Sequence, residues 1–363
     1  MIWGDRVRLT VFGESHGPAV GAVLEGLPAG EPVDLGEIAV QMARRAPGRD
    51  DSSTPRREAD APKILSGLFQ QRTTGAPLCA VIANTDAHPG DYESFRDIPR
   101  PGHADYTARV RYGGYGDPRG GGPFSGRLTA PLVFAGAVCR QILRRRGIAI
   151  GAHILSIHSV SDLPFDPVNL PVSLLDDLSS RCFPTLNPKA ETAMRAEIEA
   201  AQQKRNSVGG VVECAVAGIP AGAGGPLCDG AESVFSSILF GIPACKGVEF
   251  GAGFAAAGLF GSENNDPFFF DESGAVKTET NRAGGILGGI TTGMPIVFRA
   301  AFKPTPSIGL PQRSINLKTG REETLTVRGR HDPCVVPRAV PAVEAAAALA
   351  VINLSPPIRL QNR

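Results

Sequence analysis

Strand-like and helix-like segments occur twice in a similar order along this chain, over about 1–150 and 205–352. In each half, short apolar stretches bounded by Gly and Pro precede a long apolar helical segment, at about 130–146 and 340–352. No repeat of short period accompanies this order. It predicts two pseudo-symmetric halves, and the best interior boundary lies near 185–208, where nothing resembles a flexible linker.

Two helix starts are marked by side chains that cap helices. Asp34-Leu35-Gly36-Glu37 has capping-box spacing and predicts a helix to about Ala43. Asn187, followed by Pro188, predicts a second helix to about Arg205.

The composition excludes several classes of protein. A length of 363 residues allows two ordinary domains or one large one, and a net charge of +1 gives no basic field for nucleic acid. Seven Cys without a CxxC pair suggest neither a zinc site nor a disulfide framework. No signal peptide is visible, and the apolar runs are broken before the ~20 residues of a membrane span. We therefore expect a cytoplasmic protein with free thiols and no membrane or nucleic-acid partner.

The segment Gly13–Gly17 follows a strand-like stretch at 7–12 and places Glu14, Ser15 and His16 between two glycines. A sharp turn here would present an acid, a hydroxyl and an imidazole together. A turn with a solvated His fits these five residues equally well. The segment also matches the nucleophile-elbow spacing G-x-S-x-G, so a serine hydrolase is an alternative.

Two later loops carry similar groups after Gly or Pro-Gly. Arg100–Thr107 contains His103 with Asp105 two residues further on, and Arg330–Cys334 contains Arg-His-Asp. No two His lie at metal-ligand spacing, so no metal site is predicted. Three loops with the same chemistry favour an active site over three unrelated turns.

Other loops are suited to anions. Five arginines occur between Arg44 and Arg57, either as a solvated surface or as a pocket for a multiply anionic ligand. Glycine-dense runs at 113–126 and 283–293 can expose backbone N–H groups to a phosphate or let a flat ring lie against the chain. Arg144–Arg146, in contrast, precede Gly147 and are typical of a helix C-terminus.

Together, these motifs resemble the chorismate synthase family. The resemblance rests on Gly13–Gly17, Arg100–Thr107, Ala283–Gly293, Lys303–Ser307 and Arg330–Cys334, in order from about Arg8 to Ile352. It implies an α+β fold, a β-α-β sandwich formed by residues 1–363 as one large domain, and a homotetramer. It also implies that reduced FMN and 5-enolpyruvylshikimate-3-phosphate bind, and that a 1,4-elimination of phosphate gives chorismate with no net redox change.

The resemblance also implies catalytic roles for three residues. His16 would be the acid that protonates or stabilises the departing phosphate. His103 would lie near the flavin and favour its reactive protonation state, and Asp332 would accept a proton on the flavin side. Groups of this kind typically contribute ~10²–10⁴-fold each.

Binding residues follow in the same way. Substrate anions would be bound by Arg45, Arg127 and Arg330, with Ser15 as a hydrogen-bonding neighbour. The FMN site would be lined by Ser125, Gly288, Lys303, Pro304, Thr305, Pro306, Ser307 and Arg330.

This chain departs from the family pattern at a few positions. Many members have a third Arg where this chain has Ala46, and Arg-Ser-Ser where it has Pro123-Phe124-Ser125. The resemblance therefore does not extend to side-chain contacts with FMN at 123 and 124. A basic position used for NADPH in some members falls on Asp51. We expect NADPH to act only as an indirect reductant, with an external flavin reductase supplying reduced FMN.

A non-catalytic flavin-binding or phosphometabolite-binding protein on the same scaffold is a further alternative. Such a protein would be expected to have lost His16, His103 or Asp332, and the sequence retains all three.

Overall fold

The computed structural model describes residues 1–48, 59–85, 96–117, 119–327 and 332–354. Arg330 and Asp51 lie outside these ranges. The strands in the described ranges are β1 (Ile2–Trp3), β2 (Arg8–Gly13), β3 (Ala19–Glu25), β4 (Pro62–Ser66), β5 (Leu68–Phe69), β6 (Arg72–Thr73), β7 (Leu78–Ala83), β8 (Ala149–Ile157), β9 (Val160–Ser161), β10 (Gly210–Ala217), β11 (Cys245–Phe250), β12 (Phe268–Phe270), β13 (Val276–Thr278), β14 (Ile286–Leu287), β15 (Ile290–Thr291), β16 (Ile296–Phe302), β17 (Gln312–Asn316) and β18 (Arg321–Leu325). The helices are α1 (Leu35–Arg45), α2 (Asp105–Arg111), α3 (Thr129–Arg145), α4 (Val172–Leu178), α5 (Pro188–Gln203), α6 (Ala231–Leu239), α7 (Gly261–Asn264) and α8 (Val336–Asn353).

Two five-stranded sheets form the frame. The first has the order β1-β2-β3-β7-β4 and the second the order β11-β16-β10-β8-β9. Neighbouring strands in both sheets are antiparallel. β-Hairpins can therefore bring distant loops to a sheet end without a crossover helix at each step.

A layer of helices lies between the two sheets. α3 packs on the first sheet, α8 packs on β8 and β10 of the second, and the two helices pack on each other. Gly136 permits this close approach, because a Cβ there would lie 2.2 Å from the Cβ of Ala345. The result is the α+β sandwich that the sequence predicts.

The apolar sequence of α8 is explained by this position. The helix is long and apolar enough by composition to cross a membrane, but 89% of it is buried inside the protein. Side chains from both sheets and from the helices between them form one continuous hydrophobic cluster. α4 covers part of the outer face of the second sheet, where Leu175 lies against Gly151.

The local signals place several elements correctly. The Asp34 side chain accepts hydrogen bonds from the N–H groups of Gly36 and Glu37, and Asn187 caps α5 in the same way. β8 differs from the predicted halves, because it lies between them in sequence and pairs with β10 in the second sheet. Helix α2 and the hairpin β17–β18 are not predicted by the sequence pattern.

Candidate active site

The predicted catalytic residues meet at one cavity of about 420 Å³. His16 enters from the turn after β2, His103 from the loop before α2, and Asp332 from the segment before α8. Cationic side chains surround them: Arg45, Arg100, Arg127, Lys303 and Arg338. This arrangement of sequence-distant groups is suited to an anionic ligand that undergoes proton transfer.

The turn that carries His16 is held in a defined shape. Gly13 has a φ of +95°, and a Cβ there would lie 2.3 Å from the carbonyl oxygen of Ala19, so only glycine fits. Ser15 is fully buried, its Oγ lies 3.2 Å from His16 Nδ1, and it donates to the carbonyl oxygen of Arg119. A hydroxyl enclosed in this way is a poor nucleophile for an external ester, which disfavours the serine hydrolase alternative.

The first glycine-dense run packs directly on both histidines. A Cβ at Gly120 would lie 2.2 Å from Nδ1 of His16, and a Cβ at Gly121 would lie 2.8 Å from Cε1 of His103. Both glycines have positive φ, at +60° and +86°. This part of the run therefore fixes the two imidazole rings, a function that its glycine content alone does not reveal.

His103 belongs to a compact charged group. Its Nδ1 lies 2.5 Å from Oδ1 of Asp105, and Arg100 donates to both oxygens of that carboxylate. Burial alone would raise the pKa of Asp105, but hydrogen bonds from Arg100 and His103 outweigh it and hold this pKa well below its usual range. The ionised carboxylate keeps the proton of His103 on Nδ1 and leaves Nε2, beside Gly121, for proton exchange.

Two of the predicted substrate-binding arginines share one buried carboxylate. Arg45 Nη1 lies 2.8 Å from Oδ2 of Asp60, and Arg127 Nη1 bonds to the other oxygen. Arg127 also donates to Oδ1 of Asn84, whose amide donates to the carbonyl oxygens at both ends of the 14–17 turn. The arginine pair and the His16 turn are therefore joined.

Asp332 is held by a residue that the sequence analysis did not select. Arg338, in the first turns of α8, donates through Nη1 to Oδ2 of Asp332 and through Nε to the carbonyl oxygen of Arg45. It lines the cavity beside them. Arg338 therefore holds Asp332, the predicted proton acceptor, and the backbone of Arg45, a predicted anion-binding residue.

The predicted FMN-binding residues divide into two groups. Ser125, Lys303, Thr305, Pro306 and Ser307 line the cavity, whereas Pro304 is not among the described residues that line it. Gly288 does not line it either and lies exposed in the turn between β14 and β15. Arg330 is outside the described residues.

The segment at 303–307 is anchored to its surroundings. Lys303 donates to the carbonyl oxygen of Gly102, and Arg100 donates to Oγ of Ser307. Burial, together with repulsion from Lys246, lowers the pKa of Lys303. Thr305 Oγ1 is buried and has no hydrogen-bond partner among the described residues, so a polar ligand atom could satisfy it.

Asp60, Arg100 and Arg338 are the site residues that sequence reasoning missed as functional. Arg100 could have been identified from the sequence, because it begins the Arg-Pro-Gly-His-Ala-Asp motif that contains His103. Asp60 and Arg338 carry no comparable signal, because one follows an arginine-rich loop and the other lies inside an apolar helical pattern. Only the folded chain shows that Asp60 contacts two predicted substrate-binding arginines and that Arg338 contacts Asp332.

Known proteins resemble the chain over almost its full length. A profile of the chorismate synthase family matches residues 7–355. The chain is 46% identical to a chorismate synthase of Methanocella arvoryzae, covering 97% of this chain and 93% of that protein. It is 47% identical to one of Thermococcus kodakarensis, covering 96% of each. A crystal structure of chorismate synthase superposes with a TM-score of 0.76 at 28% identity, covering 97% of this chain and 92% of that chain.

The α+β sandwich is thus shared with a solved structure of one enzyme family. The chain belongs to the chorismate synthase family.

Proposed function

We propose that this protein is a carbon–oxygen lyase that eliminates phosphate from 5-enolpyruvylshikimate-3-phosphate to give chorismate, with a requirement for reduced FMN and no net redox change. One observation carries the proposal: His16, His103 and Asp332 come from three separate loops and line one cavity. Membership of the chorismate synthase family supports the same reaction. The product would serve aromatic amino acid biosynthesis as the end of the shikimate pathway.

The charge of the cavity suits these ligands. The substrate carries one phosphate and two carboxylates, and FMN adds another phosphate. Guanidinium groups bind both kinds of anion through paired hydrogen bonds. The cationic lining of the cavity supplies such groups on several sides.

The size and lining of the cavity support the binding of a flavin. The cavity volume of about 420 Å³ lies in the usual range for ligand sites. Phe124 and the segment at 242–244 give it an apolar wall for a flat ring, while the buried hydroxyl of Thr305 could be satisfied by a polar ligand atom. Ser125 and Lys303–Ser307 would hold the cofactor, which when bound supplies the electron-rich ring that the elimination requires.

The chain's own residues would manage the protons. His16, fixed by Ser15 and Gly120, would hold a proton toward the departing phosphate oxygen. His103 would exchange a proton at Nε2, because Asp105 holds the proton on Nδ1. Asp332, oriented by Arg338, would accept a proton on the flavin side.

An anaerobic assay of phosphate release from 5-enolpyruvylshikimate-3-phosphate tests this function. We expect turnover with chemically reduced FMN and none without it. Turnover without flavin, or no turnover with reduced FMN, would exclude the proposal. We also propose that an external flavin reductase supplies the reduced cofactor, so NADPH with FMN alone should show no steady oxidation.

We further propose that the protein assembles as a homotetramer. Five exposed phenylalanines lie close together in the sequence: Phe254, Phe260, Phe268, Phe269 and Phe270. An aromatic surface of this kind is typical of a protein–protein contact. Light scattering after gel filtration should give the mass of a tetramer, and Phe269→Ser with Phe270→Ser should reduce it, whereas a wild-type monomer would refute the assembly.

The seven cysteines, all within the described residues, form no disulfide, and Cys182 and Cys228 are exposed. This pattern supports a reducing compartment, and we propose the cytoplasm.

A further inference from the structure

Asp60 combines complete burial with two cationic partners. Its side chain has no exposed surface, and its two oxygens pair with Arg45 and Arg127 respectively. The two arginines come from different elements, since Arg45 ends α1 and Arg127 lies just before α3. Both arginines line the cavity, whereas Asp60 is absent from its described lining.

The backbone at Asp60 is also unusual. Its φ of 47° lies in the left-handed region, which Asp and Asn tolerate better than most non-glycine residues. Such conformations persist when the surrounding structure holds them, and they cluster at ligand-binding sites. The turn before β4 therefore points a carboxylate inward at the junction of the two guanidinium groups.

A second cluster provides an internal comparison. Glu344 on α8 is equally buried and pairs with Arg44 and Arg140. It also accepts the N–H of Ala152 from β8. None of these charged groups appears in the described lining of the cavity. The same chemistry therefore joins elements in the core at Glu344, whereas at Asp60 it contacts two arginines that line the cavity.

We propose that Asp60 is a positioning residue that holds Arg45 and Arg127 side by side as a clamp for the phosphate group of the substrate. This inference rests on the proposed function, whose substrate is a phosphate ester. Oδ1 of Asp60 accepts a hydrogen bond from Arg127, and Oδ2 forms an ion pair with Arg45 at 2.8 Å. The carboxylate thereby offsets the repulsion between the two guanidinium groups. Both arginines line the cavity, where a guanidinium pair suits a doubly charged tetrahedral anion.

The Asp60→Asn variant distinguishes between two roles of Asp60: positioning the two arginines, and only offsetting their charge. The variant suits a φ of 47° and keeps the side-chain shape, but its NH₂ group opposes one of the two guanidinium groups. It also makes the site more positive by one charge. If Asp60 only offset charge, phosphate would bind more tightly. If it positions the clamp, phosphate binds more weakly.

Calorimetric titration of the purified protein with inorganic phosphate at constant ionic strength measures this effect. We expect the dissociation constant to rise about ten- to a hundredfold in Asp60→Asn. With 5-enolpyruvylshikimate-3-phosphate and reduced FMN, KM should rise while kcat changes little, a separation that a general loss of structure would not produce. Unchanged or tighter phosphate binding, or wild-type protein that does not bind phosphate, would overturn the clamp.

Glu344→Gln is the matched control, because it removes a buried carboxylate between two arginines of the core. It should lower thermal stability and leave phosphate binding as in the wild type. If Asp60→Asn and Glu344→Gln lose phosphate binding equally, the loss results from general destabilisation of the fold, and the proposal is refuted. Asp60→Gly, which also suits the backbone, provides the same test if the amide prevents folding.

The titration requires no turnover. Wild-type protein that binds phosphate but releases none from the substrate would therefore refute the proposed function, while the effect of Asp60 on phosphate binding would still be measured.

Discussion

Two histidines of this chain lie among carboxylates in contrasting settings. His103 bonds to Asp105 at the cavity wall, and its side chain is 15% exposed. His153 on β8 is completely enclosed; its Nε2 lies 3.0 Å from Glu213 and its Nδ1 lies 3.4 Å from Asp162. Both are imidazole–carboxylate groups, but only the first can reach a ligand.

The difference lies in how many nitrogens of each imidazole ring face carboxylates of the protein. At His153 both nitrogens face carboxylates, and Phe165 packs edge-on against the ring with centroids 4.5 Å apart. At His103 one nitrogen faces a carboxylate and the other lies beside Gly121 at the cavity. A buried charge needs complete compensation, whereas a proton-transfer group needs one nitrogen available for exchange.

The largest expected effect is the loss of turnover in His103→Ala. Turnover should fall about 10²–10⁴-fold, because the group that exchanges a proton at the cavity is lost. Binding of FMN and of the substrate should largely survive, since Arg100 still pairs with Asp105. Stopped-flow turnover and equilibrium titration of both ligands measure the two quantities separately.

A variant that no longer folds would instead show that His103 is structural, and the contrast with His153 would disappear. Melting curves of the purified variant distinguish this outcome from a loss of chemistry.

His153→Gln should act on stability and not on turnover. Removing one member of a buried ion pair typically costs about 3–5 kcal/mol of unfolding free energy. kcat should stay within about twofold, because the cluster lies on the outer face of the second sheet, away from the cavity.

The stability effect should also depend on pH. Burial alone would lower the pKa of His153, but the carboxylates of Asp162 and Glu213 beside its ring outweigh this effect and raise the pKa above its usual 6.5. A raised folded-state pKa gives stability that is fully present below about pH 6.5 and lost as pH rises through the folded pKa. Urea unfolding should therefore show that the difference in unfolding free energy between wild type and His153→Gln becomes smaller from pH 6 to 9. A difference that stays constant over this range would contradict the raised pKa of His153.

The sequence was most informative where one residue type has one local use. Asp34 and Asn187 cap helices where the pattern predicts them, because a side chain and an N–H two residues away need no tertiary partner. The Gly13–Gly17, Arg100–Thr107 and 303–307 motifs likewise reach the predicted cavity.

It was least informative where a role depends on what folds against the residue. Arg44 and Arg45 are adjacent and chemically identical, but one pairs with Glu344 in the core and the other lines the cavity beside Asp60. Ser15 resembles a nucleophile in sequence but is buried against Arg119. The roles of the individual site residues in turnover and binding stay predictions.

The sequence by itself determined the family, through motifs spread over most of the chain, and with it the α+β class. It also marked the loops that carry proton-transfer and anion-binding groups, because glycine, proline and capping residues act locally. Only the tertiary structure decided which charged groups meet. His16, His103 and Asp332 come together because two antiparallel sheets enclose α3 and α8 and direct distant loops toward one cavity. Asp60 acquires its arginine partners, and His153 its carboxylates, only through these long-range contacts, since burial and pairing depend on three-dimensional neighbours that residue order does not specify.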